Sequence, residues 1–174
     1  MFSAAPPSLT PVLASLATAS HPEARPADAL LVGRLEAAER LGHQPGRLAV
    51  LYSLASEALA RCEARLPEVL QKGGPADARA AAEHLLAGGG KRIRPLLLAL
   101  SARACQPAEA PPLLPGPLCA LMVAAELVHT ATLLHDDVLD VSEVRRGRET
   151  ARMRWGNSVS VLAGDFVLTR ALEE

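Results

Sequence analysis

Three of the chain's six aspartates, Asp136, Asp137 and Asp140, stand within five residues, in the stretch HTATLLHDDVLDVSEVRRGRET. On a helix, Asp136 and Asp140 are four residues apart, so their carboxylates share one face. Two hard oxygen ligands at that spacing can hold a divalent cation such as Mg²⁺, with water and phosphate oxygens completing an octahedron. Asp137 lies about 100° around the helix, at the edge of this face. The stripe runs back through Leu133 to His129. The cluster falls near the expected C-terminal end of its helix, where each negative charge costs roughly 0.3–1 kcal/mol. A bound cation reverses that sign. The plain alternative is a solvated acidic helix end. Against it stands the apolar run LMVAAELVHTATLL just before the cluster, which sets the carboxylates at the mouth of a bundle, where unpaired charge is costly.

Basic groups flank this cluster in sequence. GGGKRIRP, from Gly88 to Pro95, is a glycine turn leading into a helix start, whose free N–H groups and dipole favour an anion. Lys91 is one of only two lysines, the other being Lys72. Arg94 can grip a phosphate through two N–H groups. Arg145 and Arg146, just past the carboxylates, invite the same reading. A surface basic turn and a salt-bridged loop are the alternatives for these two pieces. His129 is either a core histidine or a member of the site, and its place on the Asp136/Asp140 stripe favours the site. His135 lies on another face and is read as structural. Glu126, Asp165 and Arg170, polar residues in apolar helices, are read as internal ion pairs. Acidic and basic patches facing one cavity suit a polyanion held through metal on one side and by cations on the other; a diphosphate fits both.

The spacing of apolar residues predicts helices to carry these groups. One covers residues 29–42. A second covers 46–71, with Leu48, Leu51, Ala55, Leu59 and Cys62 on one side. Shorter ones cover 76–90 and 94–105, with Pro95 in the first turn of the latter. After a Pro-rich connection, a long helix covers 117–140, a polar loop covers 141–150, and a last helix runs from 151 to 174. No strand pattern or repeat is evident, and the fold class is all-α. Residues 1–28 read as a flexible Ala/Pro-rich tail, and 29–174 as one helical domain.

Composition supports this. Aromatics are 2% while hydrophobic residues are 49%, so the core must be aliphatic, which favours helices. A net charge of −1 gives no sign of a nucleic-acid partner. Pro115 and Pro117 are expected to break the best candidate for a membrane span. Cys62, Cys105 and Cys119 are odd in number and lack metal-ligand spacing, and read as buried free thiols of a reducing, cytoplasmic compartment.

The segments GGGKRIRP, HTATLLHDDVLD, RRG and GNSVSVLAGDFVLTRA, in this order and spacing, resemble the trans-polyprenyl diphosphate synthases, most closely the octaprenyl and solanesyl type. The likeness runs from about residue 48 to the C-terminus. It implies a helical bundle of the isoprenoid synthase type around a deep apolar cavity. It implies a prenyltransferase that joins isopentenyl diphosphate to an allylic diphosphate, with Mg²⁺ as cofactor, and a homodimer in the complete enzyme. By motif, Asp136 and Asp140 bind metal that holds the allylic diphosphate, and Asp137 assists. Arg145 contacts the allylic diphosphate, while Lys91, Arg94, His129 and Arg146 hold isopentenyl diphosphate. Ala131 and Thr132, small residues one turn before the cluster, would let a long product pass. The family has a second aspartate-rich motif on a later helix. Here the only aspartate after Asp140 is Asp165, so the resemblance implies the N-terminal half of such an enzyme, inactive by itself. A non-catalytic subunit of a complete synthase is the alternative, disfavoured by the intact motif. A terpene cyclase is disfavoured by the set around Lys91.

Overall fold

The computed structural model describes residues 45–106 and 115–174. The expected helix over 29–42, the tail over 1–28 and most of the Pro-rich connection lie outside the described residues. The described chain divides into two units between Ala60 and Arg61. All the candidate site residues belong to the second.

Helix α1 is Pro45–Leu70, with proline at the first position, where its missing N–H costs nothing. Tyr52, Ala55, Leu59, Cys62, Leu66 and Val69 are its buried residues at alternating three- and four-residue steps. Leu51, expected on this face, is instead 40% exposed, and the larger Tyr52 takes the inward position. Helix α2 is Ala76–Ala87 and buries Ala78, Ala81, Ala82 and Leu85. Those small side chains let it pack closely on the last helix. Helix α3 is Ile93–Ala104, with Pro95 in its first turn as expected.

Helix α4, Pro115–Leu139, is the centre of the fold. Met122, Val123, Leu127 and Leu134 on it are fully buried. The prolines do not break it; they sit in its first turn, where proline is tolerated. Gly116–Leu139 is therefore long and apolar enough to cross a membrane by length and composition alone. It is packed here against α3 and, most extensively, the last helix, and it carries a buried, ion-paired Glu126.

Beyond α4 the structure departs from the expected loop and single helix. Strands β1, Val144–Arg145, and β2, Arg148–Glu149, form a small antiparallel hairpin. Its two-residue tip, Arg146 and Gly147, has φ values of 52° and 74°. Two positive φ values are what a tight hairpin turn demands, and they match the twist of the strands. The hairpin is pinned to α2 through His84. Its Nε2 donates to the carbonyl of Glu149 at 2.8 Å, and its Nδ1 accepts from Arg148 at 3.2 Å. Helix α5 is Ala151–Trp155 and α6 is Asn157–Leu172. Gly156 separates them with φ 85° and ψ 164°, a conformation that no helix contains and only glycine adopts freely. The three cysteines are free, as expected, but only Cys62 is buried; Cys105 is exposed.

Candidate functional site

The end of α4 sets the acidic group. The amide of Asp140 donates to the carbonyl of Asp136 at 2.8 Å, so the helical spacing holds through both residues. Val141 then turns left-handed, with φ 52°. Its amide donates to Val138, and that of Ser142 to Asp137, a pair of bonds that closes the helix terminus. A β-branched residue is disfavoured there, and the strain is local to the acidic turn. Asp136 and Asp140 are exposed and meet no cationic side chain among the described residues.

Asp137 has a different setting. It is fully buried, and its Oδ1 accepts from Arg145 Nε at 2.7 Å. Its Oδ2 is buried without a hydrogen-bond partner. Asp137 thus faces β1, and its carboxylate anchors Arg145. Arg145 keeps its two terminal nitrogens without a partner among the described residues.

The basic group converges from three elements. α2 ends at Ala87 and is capped by Gly88, Gly89 turns back with φ 72°, and Arg92 stands left-handed (φ 48°) just before α3. Lys91 and Arg94 on this turn are exposed. Arg146 arrives from the hairpin tip. A Cβ on Gly90 would lie 3.3 Å from Arg146 Nη1 and 2.7 Å from Arg92 Nη1, so only glycine admits both guanidinium groups. Arg94 and Arg146 have no hydrogen-bond or ion-pair partner among the described residues. Burial, and then the neighbouring Arg92, lower the pKa of Arg146. Burial, and then Arg94, lower that of His129; Glu126 opposes the shift, while Arg146 and Arg145 add to it. The imidazole therefore sits in the field of three guanidinium groups. His129 and Asp136 are two turns apart on one stripe of α4, about 10 Å along its axis. A small cleft lined by His84, Gly88, Arg145, Arg146, Arg148 and Thr150 lies behind the glycine turn.

Other expectations divide. Glu126 is buried and bonded to Arg92 at 3.0 Å, an internal pair as anticipated. His135 is structural as anticipated: its Nε2 lies 3.2 Å from the carbonyl of Val161 and 3.3 Å from Asp165. Asp165 is nonetheless largely exposed. Arg170 donates to the carbonyl of Lys72 and to Glu173. Ala131 is buried, whereas Thr132 beside it is exposed, so the two do not line one wall. Arg92 and Glu63 were not legible as a unit. Arg92 reads as one more base in KRIR, and the one clue was that Glu126, inside an apolar run, needed a cation.

Chemically, Asp136 and Asp140 offer a divalent cation two carboxylates at a helix C-terminus, where positive charge is favoured. Among the described residues no three carboxylate, imidazole or thiol groups gather into a ready metal cage. The remaining oxygens would come from water and a bound anion. Arg94, Arg146, Lys91 and His129 present cationic and N–H donor groups of the kind that make charge-assisted hydrogen bonds to an anion.

Comparison with known proteins gives the family. The polyprenyl synthetase family profile matches residues 76–174, more than half of the chain. Octaprenyl diphosphate synthase from Haemophilus influenzae is 49% identical over 90 residues, covering 52% of this chain and 26% of that protein. Heptaprenyl diphosphate synthase component 2 from Geobacillus stearothermophilus is 40% identical over 129 residues, covering 73% of this chain and 38% of that protein. The chain thus spans roughly a quarter to two fifths of the length of these relatives. The crystal structure of a polyprenyl synthase from Caulobacter crescentus, complexed with calcium and isoprenyl diphosphate, superposes with a TM-score of 0.63 at 41% identity. That match covers 71% of this chain and 35% of the other. With the family profile matching more than half of the chain and an all-α fold shared with that structure, this chain belongs to the polyprenyl synthetase family.

Proposed function

We propose that this chain carries the diphosphate-binding half-site of a polyprenyl diphosphate synthase, which condenses isopentenyl diphosphate with an allylic diphosphate. One observation carries the reading. The guanidinium groups of Arg92 and Arg146 both crowd Gly90, next to Lys91 and Arg94, and Arg94 and Arg146 have no protein partner among the described residues. Like charges so gathered repel unless an anion sits between them.

In this reading Lys91, Arg94, His129 and Arg146 hold isopentenyl diphosphate. His129 donates one N–H when neutral and two when the bound anion draws a proton onto it. Arg145, fixed by Asp137, turns its free nitrogens to the allylic diphosphate. Mg²⁺ bound by Asp136 and Asp140 would supply charge neutralisation for the departing diphosphate. The cationic side chains stabilise the same charge as it develops when the allylic C–O bond breaks. The double bond of isopentenyl diphosphate then attacks the allylic cation, and a proton leaves. A homodimer, and a reducing cytoplasmic setting for the free thiols, belong to the same reading. The retention of both charged groups disfavours a purely non-catalytic subunit.

The test is calorimetric titration with isopentenyl diphosphate, with and without Mg²⁺. Arg94→Ala and Arg146→Ala should each weaken binding by roughly 1.5–3 kcal/mol, the value of a charge-assisted contact. Unchanged affinity in both variants would sink the assignment.

A further inference from the structure

Arg92 stands inside the clamp yet cannot touch a ligand. It is 5% exposed, and its guanidinium is consumed by the protein. Nε lies 2.8 Å from Glu63 Oε1 and Nη2 lies 3.2 Å from Glu63 Oε2, a two-point grip. Nη1 lies 3.0 Å from Glu126 Oε1. One side chain therefore ties α1, the turn before α3 and α4 together. Its backbone is left-handed, a conformation that costs any residue with a Cβ and that glycine would adopt more readily. A side chain kept at such a position has a use that outweighs the strain.

The positions of its neighbours show the use. Lys91 precedes Arg92, and Arg94 follows two residues later. Glu126 stands one turn before His129 on α4. Gly90 lies between the guanidinium groups of Arg92 and Arg146.

Resting on the function proposed above, we propose that Arg92 is a positioning residue: gripped by Glu63 and Glu126, it locks the left-handed turn that sets Lys91 and Arg94 opposite His129 and Arg146. Without the grip the turn samples other conformations, and diphosphate affinity falls with the fraction that remains competent. Lysine cannot replace it, because an ammonium lacks the planar fork that meets both oxygens of Glu63.

The test compares Arg92→Lys, Glu126→Ala and Glu126→Gln by calorimetric titration with isopentenyl diphosphate, with thermal melts in parallel. Arg92→Lys and Glu126→Ala should each raise Kd about tenfold. Glu126→Gln, which keeps an acceptor for Nη1, should stay within about twofold of the parent. A role confined to stability would lower the melting temperature, and any protein irreversibly lost would reduce the stoichiometry, while the Kd of the folded protein stays unchanged. Parent-like Kd in both Arg92→Lys and Glu126→Ala, with Arg94→Ala still weakened, would overturn the positioning role alone. If Arg92→Lys does not fold, Glu126→Ala against Glu126→Gln decides the matter. A parent protein that does not bind isopentenyl diphosphate would overturn the functional reading together with it.

Discussion

Gly164 on α6 faces His135 of α4, and a single methyl group at 164 should reverse its effect with the identity of residue 135. A Cβ on Gly164 would stand 2.5 Å from Cδ2 and 2.9 Å from Cε1 of His135, with Nε2 nearer still. The imidazole must leave. It is one-third exposed, so it swings outward instead of prising the helices apart. In doing so it gives up its bond to the Val161 carbonyl and its contact with Asp165. Lost bond and lost packing together come to about 2 kcal/mol. Alanine returns about 1 kcal/mol of helix propensity. Gly164→Ala should therefore destabilise the protein by about 1 kcal/mol. In a His135→Ala background the clash is gone, and the same change should stabilise by up to about 1 kcal/mol. The coupling of about 2 kcal/mol is read from a double-mutant cycle of urea unfolding followed by helical circular dichroism. Destabilisation of equal size in both backgrounds would refute the steric account.

Four further outcomes are expected. Asp140→Asn should stabilise the metal-free protein by roughly 0.3–1 kcal/mol, because it removes a negative charge from a helix C-terminus. The same change should weaken Mg²⁺-dependent diphosphate binding, and melts with and without Mg²⁺ check both signs. Burial and the field of Arg94 lower His129 below its ordinary 6.5 in the folded state, so the unfolded chain binds its proton first. Stability from His129 is thus present above about pH 6.5 and lost as pH falls through the lowered value, a slope that His129→Gln should remove. Ala131→Phe should overpack the core by about 1–3 kcal/mol, while Thr132→Phe on the exposed side stays within about 0.5 kcal/mol. Melting curves separate the two. Maleimide should label Cys105 well before Cys62, whose thiol is pushed up to about 12, chiefly by burial; peptide mass spectrometry gives the order.

Periodicity carried most of the helix pattern, because α1 to α4 bury continuous stripes that a spacing rule detects. It failed where single residues overrule the stripe. Gly156 ends a helix that ARMRWGNSVSVLAG otherwise continues, and no apolar spacing reports a backbone angle. Arg146 occupies a hairpin position usually held by Asn, Asp or Gly, so the turn was unreadable from composition. The acidic pair was legible because helical spacing fixes Asp136 against Asp140. The inward turn of Asp137 was not, since it depends on Arg145 arriving from a hairpin that the sequence did not announce. The two prolines misled in the other direction: they begin α4 and do not interrupt it.

The charges of the site sort by partner, and that division is itself an argument about ligands. Arg92, Glu63, Glu126, Asp137 and Arg145 are buried or half-buried, and each meets an opposite charge. Asp136, Asp140, Arg94 and Arg146 are exposed and meet none among the described residues. If the exposed set served stability, the cheapest arrangement would mix the signs, as surface pairs one helical turn apart do. Like charges are segregated here instead, acids at the end of α4 and bases around Gly90. Each group then lowers the stability of the empty protein by self-repulsion. In the proposed function Mg²⁺ with the allylic diphosphate relieves the acids, and isopentenyl diphosphate relieves the bases. Mg²⁺ and an allylic diphosphate added together should therefore raise the melting temperature more than the sum of the two added singly.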